Sequence, residues 1–223
     1  ARSTTVKLTS YDQRNGGALL GSATFNSVNP VLGATYHLYE NLNIYTNYGK
    51  GFETPTLVEI GYENYTYANS SGNIVSVISS FNKNLKSSKS QHYEAGMKWL
   101  PTKKSRINLS AFYVKTDDEI MSDVNDTNGN TTDDPLTGKT VAKGTSYVNA
   151  GSTTRRGVEL SAVAYLGSSF KSDLSISYID AFFNTNFTYG GTSSPKTVSS
   201  GNRIPGVPKS TLFADLVWSS TDF

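Results

Sequence analysis

The sequence predicts an all-β fold: a segment of an antiparallel transmembrane β-barrel, with short periplasmic turns at one end and long extracellular loops at the other. Three observations carry that prediction. Runs of about ten residues alternate apolar and polar side chains, the period of a strand with one greasy face. The connections between them alternate between short and long. Aromatic residues gather near both ends of the apolar faces. Only 36% of the 223 residues are apolar, against roughly 45–50% in soluble domains. No run approaches the roughly 20 apolar residues of a spanning helix, so a membrane crossing here requires strands.

Nine strands are expected, near residues 4–11, 18–26, 31–40, 42–50, 91–100, 105–115, 155–166, 170–180 and 210–219. Most have about the 9–11 residues a tilted strand needs to cross a bilayer. The seventh is the clearest, with Val158, Leu160, Ala162 and Ala164 on one side and Glu159, Ser161 and Val163 on the other. Residues 40–41, 101–104 and 167–169 read as tight turns, whereas 52–90, 116–154 and 181–209 are long and polar. Loops beyond about 12–15 residues are uncommon in compact soluble domains.

The aromatic phase sharpens the prediction. Tyr48, Tyr93, Tyr113 and Tyr178 fall in the apolar set of their strands at the long-loop end, and Trp99, Phe170 and Trp218 fall in it at the short-turn end. Two such girdles flank the lipid-facing band of outer-membrane barrels. Between them lies an apolar band that includes Leu109, Leu160, Ile176 and Leu212, while His92, Glu94, Asn108, Glu159 and Asp173 share the opposite phase. A soluble β-sandwich would instead bury those four aliphatic residues between two sheets.

Several functions are disfavoured by composition. Cysteine is absent, which removes disulfide scaffolds and thiolate metal sites. A net charge of +2 with no basic cluster gives no footprint for nucleic acid. The N-terminal ARSTTVKLTS lacks an apolar signal core, so a mature or internal segment is expected. Ser90, His92 and Glu94 share one strand face, but no nucleophile elbow, metal-ligand pair or phosphate loop accompanies them, so the chain reads as a non-enzyme without cofactor or metal. The acidic run DVNDTNGNTTDD at 123–134 fails calcium-loop spacing because Val124 takes the first ligand position, which leaves a solvated loop.

Candidate binding residues remain in two groups. In GYENYTY, Tyr62, Tyr65 and Tyr67 present flat apolar area with a polar tip on an extracellular loop, and Arg203 lies on another such loop; these four are the expected ligand contacts. In FETPTLVE, Pro55 cannot continue a central ladder, so it ends the fourth strand and leaves Glu53, Pro55 and Glu59 as a lumen-side segment. His92, Glu94, Arg155 and Glu159 are further lumen or plug-facing candidates. Arg155 and Arg156 are adjacent on a strand, so at most one of them faces the lumen.

Five segments taken together resemble the TonB-dependent receptors of Gram-negative outer membranes: YTNYGKGFETPTLVE at 45–59, NKNLKSSKSQHYEAGMKW at 82–99, AFYVKTDDEI at 111–120, YVNAGSTTRRGVEL at 147–160 and GNRIPGVPKS at 201–210. Their order and spacing cover most of the chain. Members of the family usually carry an acidic residue near Ser88, and it is missing here. The resemblance implies a ligand-gated importer, most often for ferric siderophores, with a barrel of about 22 strands around a plug. The implied partners are outer-membrane lipid, a plug domain, the TonB complex and a small-molecule metal chelate or cofactor ligand. Residues 1–223 correspond to part of such a barrel domain, with no plug or coupling motif; Phe223 lacks the apolar alternation of a terminal strand and is expected to mark a truncation. GKGFETPTLVE, DDEI, NAGSTTRRGVEL and GNRIPGVP are similar to a branch that includes a pyrroloquinoline-quinone receptor. A passive pore or an adhesin built on the same wall is the remaining membrane alternative.

Overall fold

The computed structural model describes residues 1–11, 21–61, 64–68, 74–78, 81–123, 131–133, 140–142, 146–189 and 196–220. In chain order the elements are β1 (Arg2–Ser10), β2 (Gly21–Asn29), β3 (Val31–Tyr39), β4 (Leu42–Glu53), α1 (Leu57–Ile60), β5 (Asn64–Ala68), β6 (Ile74–Ile78), β7 (Ser88–Trp99), β8 (Arg106–Asp117), β9 (Ile120–Asp123), β10 (Thr131–Asp133), β11 (Thr140–Ala142), β12 (Ser146–Asn149), β13 (Ser152–Leu166), β14 (Phe170–Phe183), β15 (Phe187–Tyr189), β16 (Lys196–Val198) and β17 (Ser210–Trp218).

Seven of the nine expected strands form one antiparallel sheet in the order β17-β14-β13-β8-β7-β4-β3. Each neighbour in the sheet is also the next long strand in the chain, so the wall is a simple meander. The other two, β1 and β2, pair only with each other among the described residues. Among the described residues the sheet therefore has seven strands, where nine were expected from the sequence. Pro30, between β2 and β3, supplies the physical reason. Its carbonyl accepts from the Lys50 amide at 3.0 Å, but it has no N–H to return, and the ladder stops there. Val31 pairs with Gly49 near the long-loop end of β4, so β2 enters β3 from that end and the β1–β2 hairpin belongs to the loop side. Length and alternation alone do not separate such a hairpin from two membrane crossings.

The register aligns the apolar residues across the sheet. Tyr36, Ile44, Met97, Leu109, Leu160, Ile176 and Leu212 occupy one transverse row, each opposite the next. No second sheet covers this row among the described residues: Leu109, Ile176 and Leu212 remain 41%, 40% and 71% exposed. A sandwich core would leave them almost fully enclosed. The arrangement is a single wall with an uncovered greasy face.

The buried core lies elsewhere. Ala150, Ala181, Phe183 and Ile204 form it, with Met121, Ile179, Phe187, Val198 and Val207 packed around them, all near the long-loop end. The segments read from the sequence as long polar loops carry paired strands: β5 with β6, β9 with β12, β10 with β11 and β15 with β16. Short strands such as Ile74–Ile78 hold their apolar residues in runs too brief to distinguish from loop by periodicity.

Two glycines let large rings lie flat on the polar face. A Cβ on Gly96 would come within 2.7 Å of the Tyr45 hydroxyl, and one on Gly157 within 2.9 Å of the Phe112 ring. Each ring covers backbone that glycine would otherwise expose, the usual compensation for a glycine inside a strand.

Candidate functional site

A cavity of about 480 Å³ opens on the polar face near the long-loop end. Its lining comes from four wall strands: Glu53 from β4, Ser88 and Ser90 from β7, Thr116 from β8 and Arg155 from β13, with Glu119 and Ile120 closing it from the loop side. On the strands, Ser90, Thr116 and Thr153 hold successive positions across the sheet, so one phase of the alternation delivers hydroxyls to one place.

Arg155 and Glu119 dominate the electrostatics. Arg155 Nη1 donates to Glu119 Oε2 at 3.0 Å and to Thr153 Oγ1 at 3.1 Å, while its Nη2 pairs with Glu119 Oε1. The Thr153 hydroxyl donates to the same carboxylate. Burial alone would raise the Glu119 pKa, but the hydrogen bonds from Arg155 and Thr153 and the Arg155 charge outweigh it and hold the carboxyl below its ordinary value. The two-pronged contact uses the guanidinium fork as a lysine could not.

Backbone geometry fixes Glu119. Asp118, immediately after β8, adopts φ +57°, a left-handed turn that aspartate tolerates better than most residues. The Glu119 amide then donates to the Gly151 carbonyl at 3.2 Å, and the Ala150 amide donates to the Glu119 carbonyl at 2.7 Å. Asn149 ties the neighbouring segments together: its Nδ2 donates to the carbonyls of Lys86 at 3.0 Å and Asp118 at 2.8 Å, and its Oδ1 accepts from the Lys86 amide at 2.9 Å. Half-buried among the loops, the amide satisfies three backbone groups at once.

The residues singled out in the sequence are distributed as follows. Glu53 and Arg155 line the cavity. Pro55 is fully buried. Glu59 is engaged locally: its carboxylate accepts from the Thr56 amide at 2.7 Å while the Thr56 hydroxyl accepts from the Glu59 amide at 3.2 Å, a capping box that starts α1. The T-x-x-E spacing of residues 56–59 encoded that helix start. His92 Nε2 lies 2.7 Å from Ser90 Oγ, and Gly51 opposite them has no side chain to obstruct the pair. Glu94 does not complete a relay with them, since it accepts from the Tyr45 hydroxyl at 2.5 Å. Glu159 sits opposite Ser110 and Ser177 on the polar face. Arg203 is exposed and makes an isolated bridge with Phe182. Tyr62 lies outside the described residues, as does most of the acidic run 123–134; Tyr65 and Tyr67 lie on β5.

Tyr48, Tyr93 and Tyr113 form a continuous row on the apolar face, with ring centroids 4.9 and 6.3 Å apart. Tyr178 lies one step nearer the middle of the sheet, opposite Val158. Trp99 pairs with Leu42, and Phe170 with Trp218, at the short-turn end. Arg156 follows Tyr113 in the row and Arg155 points to the other face, so the adjacent arginines do divide between the two sides. Glu119, Thr153 and Asn149 were not recognised from the sequence; an arginine on a half-buried strand face requires an acid nearby, and the DDEI segment offered one.

A one-sheet antiparallel meander with an uncovered apolar face and a polar, hydrogen-bonded opposite face defines the wall of an outer-membrane β-barrel. The chain belongs to the TonB dependent receptor-like, beta-barrel family, whose model matches residues 1–223. Its fold is similar to that of the ferric yersiniabactin uptake receptor FyuA from Yersinia pestis, at 19% identity and TM-score 0.54 over 88% of this chain and 23% of that one. It is also similar to the siderophore receptor PirA from Acinetobacter baumannii, at 17% identity and TM-score 0.52 over 91% and 27%. A mutant of the ferric enterobactin receptor PfeA from Pseudomonas aeruginosa matches at 15% identity and TM-score 0.55 over 92% and 26%. The chain thus spans about a quarter of the length of these receptors. Barrels of this family reside in the Gram-negative outer membrane, and that is the location of this chain.

Proposed function

We propose that these residues form part of the barrel wall of an active importer, with the apolar face against hydrocarbon and the polar face toward an enclosed lumen that holds a plug domain. The observation that carries the reading is the seven-residue apolar row on one side of a single sheet, with Tyr36, Ile44, Leu109, Ile176 and Leu212 exposed, set against an opposite face whose polar groups bond to one another. A charge on the first face has no aqueous route, whereas Glu94, Glu159 and Arg155 on the second are wet or paired.

The cargo we propose is a ferric siderophore or a similar large, scarce nutrient, supported by family membership and by the ligands named for FyuA and PfeA. Transport, rather than catalysis, suits a site where Glu94 is engaged by Tyr45 and not by the Ser90–His92 pair. The cavity beside Arg155 presents hydroxyls and a carboxylate toward the lumen, a surface suited to hydrogen bonding with a plug segment. Arg203 and the tyrosines of residues 62–67 would meet cargo from the extracellular side.

Deletion of the full-length gene, followed by growth on single ferric chelates or on a quinone cofactor under scarcity, tests the assignment. Loss of growth on one of them, restored by the intact gene, is expected. Undiminished growth on all of them would overturn the importer reading and favour a pore or adhesin.

A further inference from the structure

The three long connections, residues 52–90, 116–154 and 181–209, rise from separate pairs of strands, yet hydrogen bonds link their bases in one unbroken chain. Each connection first closes on itself. The Asn82 amide donates to the Ile60 carbonyl at 2.7 Å, the Ala150 amide to the Glu119 carbonyl at 2.7 Å, and the Phe183 amide to the Asn202 carbonyl at 2.9 Å. Neighbouring connections are then joined to each other. On one side Asn149 holds both backbone groups of Lys86, and Asn82 Nδ2 donates to the Tyr147 carbonyl at 3.5 Å. On the other side the Asn184 amide donates to the Ser152 carbonyl at 2.8 Å, the Ser152 amide to Thr185 Oγ1 at 3.1 Å, and Asn184 Nδ2 to Thr154 Oγ1 at 2.9 Å. Residues 149–154, the returning end of the middle connection, thus touch both neighbours. Ala150 and Thr153 are fully buried there, and Thr154 nearly so. Gly151 adopts φ +74°, and a Cβ on it would lie 2.2 Å from Thr185 Oγ1, so glycine is what lets the two connections meet this closely.

We infer that the bases of the three connections form one cooperative collar, with residues 149–154 as its keystone, so that a contact made by any one connection is felt at the bases of the other two. Surface loops ordinarily run over the protein and complete their backbone bonds with water, which leaves a neighbour undisturbed when one of them moves. Here donor and acceptor belong to different connections. Opening one strands a partner on the next, and the cost of an unmade bond in a half-buried place opposes it. That the contacts in question are with cargo rests on the proposed function; the coupling itself does not. Contiguity alone is not coupling. Shared opening is, and amide exchange reads it.

The test is hydrogen exchange of the full-length protein in detergent micelles, read at the amides of Lys86, Ala150, Asn184 and Gly201, which lie on all three connections. In the wild type these four are expected to share one opening free energy and one dependence on urea, distinct from mid-wall amides such as that of Leu160. Asn149→Ala should speed exchange at Asn184 and Gly201, neither of which it touches, by about a hundredfold, the factor for three ordinary hydrogen bonds lost. Thr154→Val perturbs the keystone from its other end and should speed Lys86 and Gly201 about fivefold, the factor for one such bond. Four unrelated opening energies in the wild type overturn the inference, with no variant needed. Acceleration confined to residues bonded to the altered side chain also overturns it. So does acceleration that reaches Leu160 equally, since the collar would then be no unit apart from the wall. The exchange pattern is read without cargo, so the collar and the importer reading, which the growth experiment tests, fail separately.

Discussion

Arg155 and Glu119 both line the cavity on the polar face, and their ion pair joins strand β13 to the segment that leaves β8. Their side chains are 31% and 19% exposed, so each partner left alone would be a half-buried charge. Truncating Arg155 to Ala should cost roughly 1–3 kcal/mol, the range for stranding a charged partner. Arg155→Lys should recover only part of that, because an ammonium lacks the paired donors. Thermal unfolding of the full-length protein in detergent checks both, and equal melting temperatures for Arg155→Ala and wild type would contradict the assigned role.

The same pair predicts acid sensitivity confined to one region. Glu119 has a folded pKa below the ordinary carboxylate value. Its contribution to stability is complete above the unfolded pKa and is lost as pH falls through the folded one. Amide exchange at Ala150, whose N–H is held by the Glu119 carbonyl, should therefore accelerate in acid after correction for intrinsic rates. With Glu119→Gln that pH dependence should vanish.

Much of the wall was legible because strand phase is a local property. Alternation located all nine strands, and the same phase placed Tyr48, Tyr93 and Tyr113 in one row. Pairing is not local: that β2 runs through Pro30 into β3 instead of turning back as a wall strand depends on which partner lies alongside. The cavity was half legible. Glu53 and Arg155 stood out as charges near strand ends, whereas Glu119 and Asn149 act through bonds to residues about 30 to 60 positions away, which no periodicity encodes.

Gly157 provides a test of the ring-over-glycine packing. A Cβ at that position would lie 2.2 Å from the Tyr178 carbonyl oxygen as well as against the Phe112 ring. Backbone of a paired strand has little room to yield, so Gly157→Ala should destabilise the wall by about 1–3 kcal/mol. Phe112→Leu, which removes the ring but not the carbonyl, should not rescue it. The fraction showing the heat-modified mobility of a folded barrel measures both variants.

Paired substitutions at adjacent positions of β8 test which face meets lipid. Leu109 stands in the middle of the apolar row, and Asn108, one residue earlier, bonds Ser161 Oγ at 3.2 Å on the opposite face. An arginine directed at hydrocarbon near mid-bilayer costs about 2–4 kcal/mol, so Leu109→Arg should sharply reduce the folded population. Asn108→Arg loses one exposed hydrogen bond and puts its charge in a polar lumen, where the cost is within about 1 kcal/mol. The order of the two stabilities in lipid vesicles decides the matter: if Asn108→Arg were the more damaging, the polar face would be the one in contact with the membrane, and the lumen, the plug and the importer built upon it would have to be abandoned.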